Sequence, residues 1–185
     1  LKDKKNSASK EKQNVTQPNF LFDDLFILDI ANNHQGDVDH GLEIIQSIGA
    51  VVKETGVNAA IKFQFRQLET FIHPDYLERT DIKHIPRFVS TRLDLTGYQK
   101  LLDKTREVGL YAMCTPFDEE SVTLIQDMGF DAIKIASCSV TDRPLLQEVS
   151  RAKMPVVVST GGATIPEIEY VVHILNRGEG TFALE

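Results

Sequence analysis

The 185-residue sequence predicts an α/β fold built on parallel strands, and three observations carry that prediction. From Leu25 onward, short β-rich runs alternate with longer stretches of helical periodicity, the pattern of βα units around a parallel sheet. Runs such as "LFILDI" and "PVVVST" are apolar for three or four residues in succession, as suits strands covered on both faces. Successive strands also end in polar groups. An open doubly wound sheet and a closed (β/α)8 barrel of the TIM type both fit the first two observations, but the third favours the barrel, whose sites collect at the carboxyl-terminal face. Such a barrel usually takes about 250 residues, so the chain reads as an incomplete barrel of about six βα units.

The opening segment, "LKDKKNSASKEKQNVTQPNF", has basic residues but no apolar stretch of the kind a secretory signal requires. It is expected to be a disordered polar arm over residues 1–20, ahead of a barrel portion over 21–185 in a cytoplasmic protein. Strands are expected at 25–31, 59–65, 110–116, 132–137, 155–160 and, more weakly marked, 181–184. "GLEIIQSIGAVVKETG" puts Leu42, Ile45, Ile48 and Val52 on one stripe and stops at Gly56, which makes it a covering helix. "TGYQKLLDKTREVG", "DEESVTLIQDMG", "DRPLLQEVSRAK" and "IPEIEYVVHILNRG" read the same way. The segment from Arg66 to Leu95 far exceeds the ~2–6 residues of an ordinary βα loop, and such excursions are usually functional or mobile.

Composition narrows the function. With 42% hydrophobic residues the chain can bury one substantial core, and a formal net charge of -7 argues against a nucleic-acid partner. No apolar run approaches the ~20 residues needed to span a bilayer. Cys114 and Cys138 fall in segments read as inner strands and lack the spacing of a zinc or redox motif, so both are expected to be small core residues. His40, His73, His84 and His173 show no metal-ligand spacing and read as surface residues, and no metal ligand is assigned.

Read at their carboxyl ends, the strands give "LDIANNH", "IKFQF", "CTPFD", "IKIAS" and "VVSTGG". Period-two alternation puts Lys62 and Gln64 on one face of their strand, with Lys134 able to point the same way two strands along. Two inward ammonium groups repel each other and are costly to bury without counter-charge; an anionic ligand resolves both costs. Thr115, Ser137 and Ser159 can bind phosphate oxygens without adding charge, and the Gly161–Gly162 turn lets backbone N–H groups approach an anion closely. A small molecule bearing phosphate or carboxylate is therefore expected. Singly, each Ser or Thr reads more readily as a cap or turn residue; the conjunction at successive strand ends favours a site.

"DIANNHQGD", "IKFQ", "TPFD", "KIAS" and "STGGAT" stand in the order and approximate spacing of the sialic acid synthase family, which the chain resembles from about Leu25 to Ala183. The resemblance implies a (β/α)8 barrel followed by a small antifreeze-protein-like domain, in a homodimer whose subunits complete each other's sites. It implies condensation of phosphoenolpyruvate with the open-chain aldehyde of an N-acetylated amino sugar, with release of phosphate. It implies a divalent metal, manganese or magnesium, whose histidine ligands fall beyond residue 185. By motif position Lys62, Gln64, Thr115, Lys134, Ser137 and Ser159 look like the phosphoenolpyruvate-binding groups, with Asn33 and His34 holding the loop or the sugar. Asp29 stands where the family usually carries a catalytic Glu, so it keeps the charge with one methylene less reach. Two other readings stay open: a class I aldolase with Lys62 or Lys134 as Schiff-base amine, and a non-catalytic sugar-phosphate binding domain.

Overall fold

The computed structural model describes residues 22–185, so the arm expected over 1–20 lies outside the described residues. Six strands form one sheet: β1 (Leu25–Asp29), β2 (Asn58–Phe65), β3 (Tyr111–Pro116), β4 (Ala132–Ile135), β5 (Val156–Val158) and β6 (Phe182–Leu184). Every neighbouring pair is parallel, and the spatial order of the strands is their chain order. Parallel neighbours need long crossovers. These contain α1 (Val38–Thr55), α2 (Leu68–Phe71), α3 (His84–Ser90), α4 (Leu95–Glu107), α5 (Glu119–Met128), α6 (Arg143–Arg151) and α7 (Ile165–Leu175). Right-handed crossovers in a sequential sheet all fall on one side. The result is a six-stranded, curled half-barrel with an outer helical layer.

The two faces of the sheet differ in chemistry. Residues such as Ile61, Phe63, Cys114, Ile133, Ile135 and Val158 point outward and join Ile45, Leu101, Ile125, Leu145 and Val171 of the helices in the main core. The alternate residues Ala60, Met113, Ala132 and Val157 point inward and form a second, smaller cluster with Leu25, Ile27 and Tyr111. Further along the same strands, the inward positions become Asp29, Lys62, Gln64, Thr115, Lys134 and Ser159. One period-two rule thus sorts core from site.

Several expected boundaries move, each for a local reason. β1 stops at Asp29 because the chain turns at once, with Ala31 at φ 40°. α1 begins at Val38, earlier than the periodic stripe suggests, because the Asp37 carboxylate accepts from the Asp39 and His40 N–H groups. β4 ends at Ile135, and residues Ser137–Ser139 form a 3₁₀ turn. That turn leaves Cys138 exposed, correcting the expectation of a core cysteine; Cys114 is buried as expected. The "LFILDI" run is not covered on both faces throughout, since Phe26 is 55% exposed.

The excursion is an ordered subdomain rather than a bare loop. Besides α2 and α3 it holds a 3₁₀ turn at Pro74–Tyr76, and Leu68, Ile72 and Ile85 bury one another in a cluster of their own. Its far end packs on the β1 turn. Gly36 has φ +79°, and a Cβ there would lie 2.7 Å from the Ser90 carbonyl oxygen, so only glycine fits this contact.

His34 lies under the same turn and is fully buried. Its Nδ1 accepts from the Gly36 N–H at 3.1 Å, which leaves the ring proton on Nε2, and the ring meets Tyr98 edge-on. Burial holds its pKa below the ordinary 6.5. The unfolded chain therefore binds a proton that the folded chain resists, and stability falls as pH drops through about 6.5. Thermal melts across that range should show this loss, and His34→Gln, though less stable at neutral pH by about 1–3 kcal/mol, should show a flatter pH dependence.

Candidate active site

The inward face near the carboxyl ends of β1 to β5 is assembled by register. Asp29 pairs with Lys62 across β1 and β2, and Gln64 with Thr115 across β2 and β3. Lys62 and Lys134 stand two strands apart, ~10 Å at the usual strand spacing. Each already has a carboxylate partner. Lys62 Nζ lies 2.9 Å from Asp29 Oδ2, and Lys134 Nζ lies 2.5 Å from Glu185 Oε1 and also donates to Ser159 Oγ. The lysines therefore do not stand without counter-charge: the protein supplies one to both, through two carboxylates each 48% exposed and therefore displaceable.

Glu185 is a member of this constellation that the sequence reading did not assign. Its carboxylate accepts from Ser159 Oγ at 2.6 Å, while its main chain pairs with Val158 and Thr160. Partial burial opposes ionisation of Glu185, but the Lys134 and Ser159 hydrogen bonds outweigh it and hold the carboxyl below its usual range. The only available signal was the inward alternation continued from Ala183 in a short, weakly patterned strand.

Thr115 is almost fully buried, and its hydroxyl has no hydrogen-bond partner among the described residues. An orphaned buried hydroxyl costs about 1–3 kcal/mol, which a ligand oxygen would remove. Ser137 sits on the exposed 3₁₀ turn above β4. It is near Gly161, whose hypothetical Cβ would meet Ser137 Cβ at 3.9 Å, so the "KIAS" and "STGG" segments do adjoin. His34 is structural in its contacts, and Asn33 is exposed on the turn.

Asp118 of "TPFD" caps α5 through the Ser121 N–H at 2.8 Å and accepts from the Gln67 N–H at 2.9 Å. It thereby joins the start of the excursion to the end of β3. A cleft of about 650 Å³ opens beside this junction, lined by Asn32, Gln64, Arg66, Gln67, Arg92 and Tyr98 among others. It shares Gln64 with the inward face but contains neither lysine. Tyr98 donates to the Gln64 carbonyl at 3.2 Å, and burial raises its phenol pKa far above the ordinary value, so it acts as a neutral donor. Among the described residues no cluster of three or more His, Cys, Asp or Glu could hold a metal ion. Nor is any described helix long and apolar enough to cross a membrane.

A curled parallel half-barrel sheet with cationic and hydroxyl groups gathered at its carboxyl ends defines a protein of the α/β class. The chain belongs to the NeuB family, which it matches over residues 48–184. It is 27% identical over 159 residues to the N,N'-diacetyllegionaminic acid synthase of Campylobacter jejuni, covering 82% of this chain and 46% of that protein. Its fold is similar to that of a Chromobacterium violaceum protein named for spore coat polysaccharide biosynthesis, with TM-score 0.84, 43% identity and coverage of 86% of this chain and 48% of that one. It is also similar to an N-acetylneuraminic acid synthetase from Leptospira borgpetersenii, with TM-score 0.73 at 24% identity, covering 87% of this chain and 52% of that one. The chain thus spans about half the length of the relatives it matches.

Because Glu185 holds Lys134 and Ser159, an entering anion has to displace it. Glu185→Gln should keep a hydrogen bond to Ser159 while removing the competing charge, and should tighten phosphate binding several-fold. Calorimetric titration of inorganic phosphate into both proteins measures this, and equal affinities would mean that the carboxylate does not compete.

Proposed function

We propose that this chain is the phosphoenolpyruvate-binding part of a (β/α)8-barrel synthase that condenses phosphoenolpyruvate with an N-acetylated amino sugar, of the N-acetylmannosamine kind, to form a nonulosonic acid and phosphate. The observation that carries the proposal is the grouping, on one face, of Lys62, Lys134 and Ser159 with the orphaned hydroxyl of Thr115. A phosphate and a carboxylate on one small molecule complement two ammonium groups carried on strands two apart better than a single anion does. Membership of the NeuB family supports the same reading. The aldolase alternative gains nothing from the geometry, since both lysines are engaged in ion pairs.

In this reading Lys62, Lys134, Thr115, Ser137 and Ser159 bind phosphoenolpyruvate, and Gln64 assists. Carbon 3 of the enol attacks the aldehyde carbon, the enol double bond supplying the electrons of the new bond while the carbonyl π pair moves to the aldehyde oxygen, which gains the proton released as water adds at carbon 2. The cation left at carbon 2 takes up water, and the resulting tetrahedral centre expels phosphate. Asp29, already 2.9 Å from Lys62, supplies negative charge near the reacting carbons. A divalent metal, manganese or magnesium, supplies a Lewis acid for the aldehyde oxygen when bound. The described residues offer no cluster of three or more His, Cys, Asp or Glu to hold it. The proposed enzyme is a cytoplasmic homodimer acting on small molecules, without nucleic-acid or membrane partners.

Lys134→Met should weaken phosphoenolpyruvate binding by about 1.5–3 kcal/mol, the worth of a charge-assisted hydrogen bond. Calorimetry decides this, and unchanged affinity removes Lys134 from the site. In the complete enzyme, Asp29→Asn should lower kcat by about tenfold or more with little loss of phosphoenolpyruvate affinity, as expected for a carboxylate acting at the reacting carbons. Steady-state kinetics with normal kcat would make Asp29 only the counter-ion of Lys62.

A further inference from the structure

Arg66 directly follows the "IKFQF" motif without belonging to it, yet its surroundings are specific. Its guanidinium carbon lies 3.9 Å from the centre of the Phe117 ring, 4.5 Å from that of Phe88 and 5.9 Å from that of Phe71. Phe71 and Phe88 come from the two helices of the excursion, and Phe117 follows β3. No ion pair to a carboxylate is found for Arg66 among the described residues, and burial lowers its pKa somewhat. Arg66 Nη2 instead donates to Gln64 Oε1 at 2.8 Å.

This bond has a directional consequence. A guanidinium offers donors only, so the Gln64 amide must turn its oxygen toward Arg66 and its NH₂ away from it. Gln64 lines the cleft and lies in register with Thr115, above Lys62 on the same face. We infer that Arg66 is a positioning residue that locks the Gln64 amide with its N–H donors presented to the site, selecting an oxygen acceptor on the ligand at that point. The inference rests on the proposed function only in taking that ligand to be phosphoenolpyruvate. The aromatic cage makes the lock firm: stacking fixes the guanidinium plane, which lysine, a flexible point charge, cannot reproduce.

The test uses Arg66→Met, which keeps apolar bulk against the rings, and Gln64→Glu, which keeps an acceptor for Arg66 but removes the donors. In ¹⁵N spectra of the chain, the Gln64 side-chain NH₂ pair, assigned by its loss in Gln64→Glu, should be rigid in the parent and mobile in Arg66→Met. Backbone resonances of β2 to β4 should stay in place, reporting an intact fold. An equally rigid pair in Arg66→Met overturns the inference whatever the ligand. Calorimetry with phosphoenolpyruvate should show a loss of about fivefold to tenfold in Arg66→Met and at least as much in Gln64→Glu. Gln64→Ala combined with Arg66→Met should bind no worse than Gln64→Ala alone. A full additive loss would mean that Arg66 acts without Gln64. Failure of the parent chain to bind phosphoenolpyruvate would count against the proposed function, while the NH₂ measurement still decides the positioning role.

Discussion

The ammonium of Lys134, with 5% of its side chain exposed, is the constraint around which the inner face is arranged. A charge so placed must be answered locally, because withdrawing it from water unpaired would cost several kcal/mol. The answer is a carboxylate from the next strand but one and a hydroxyl from the strand between. Since these strands are held in register by parallel ladders, the position of Lys134 ties the ends of β4, β5 and β6 together. Lys62 and Asp29 repeat the device at the other side of the sheet. Both pairs leave their carboxylates half-exposed, so the charges are balanced without being sealed.

Most of the architecture was legible because alternation is a property of the chain alone. The runs around Ile61, Cys114, Ile133 and Val157 declare buried strands, and the polar residues at their ends fall inward by the same count of two. The strand order then follows from right-handed crossovers that each lead to the adjacent strand. What was illegible depended on local competition. Asp37 draws the start of α1 forward by capping it, and the chain after Ile135 tightens into a 3₁₀ turn that carries Cys138 to the surface. Neither event alters hydrophobic periodicity, so neither leaves a periodic trace.

The site was legible in its residues and less so in its connections. Lys62, Thr115, Lys134 and Ser159 do converge on one face, and Ser137 adjoins the Gly161 turn. His34, singled out with Asn33 by its place after β1, is buried, accepts from the Gly36 N–H of its own loop and meets Tyr98 edge-on. Glu185 and Arg66 carry no motif signal for a common reason: each acts by answering another side chain across sequence separations or stacks that a linear motif does not express. Asp118, counted only as part of "TPFD", joins two segments by accepting N–H groups from both.

The contact between Gly36 and the Ser90 carbonyl bears on how the excursion could be exchanged between relatives. Residues near Glu78–Lys83 face solvent for the most part and could vary in length with small loop-closure cost. The return segment at Ser90–Leu93 could not, because it is keyed to a turn with no room for a side chain. A graft that swaps the middle of the excursion and preserves both the Gly36 seat and the Gln67–Asp118 anchor would therefore transplant its outer surface while keeping the frame intact.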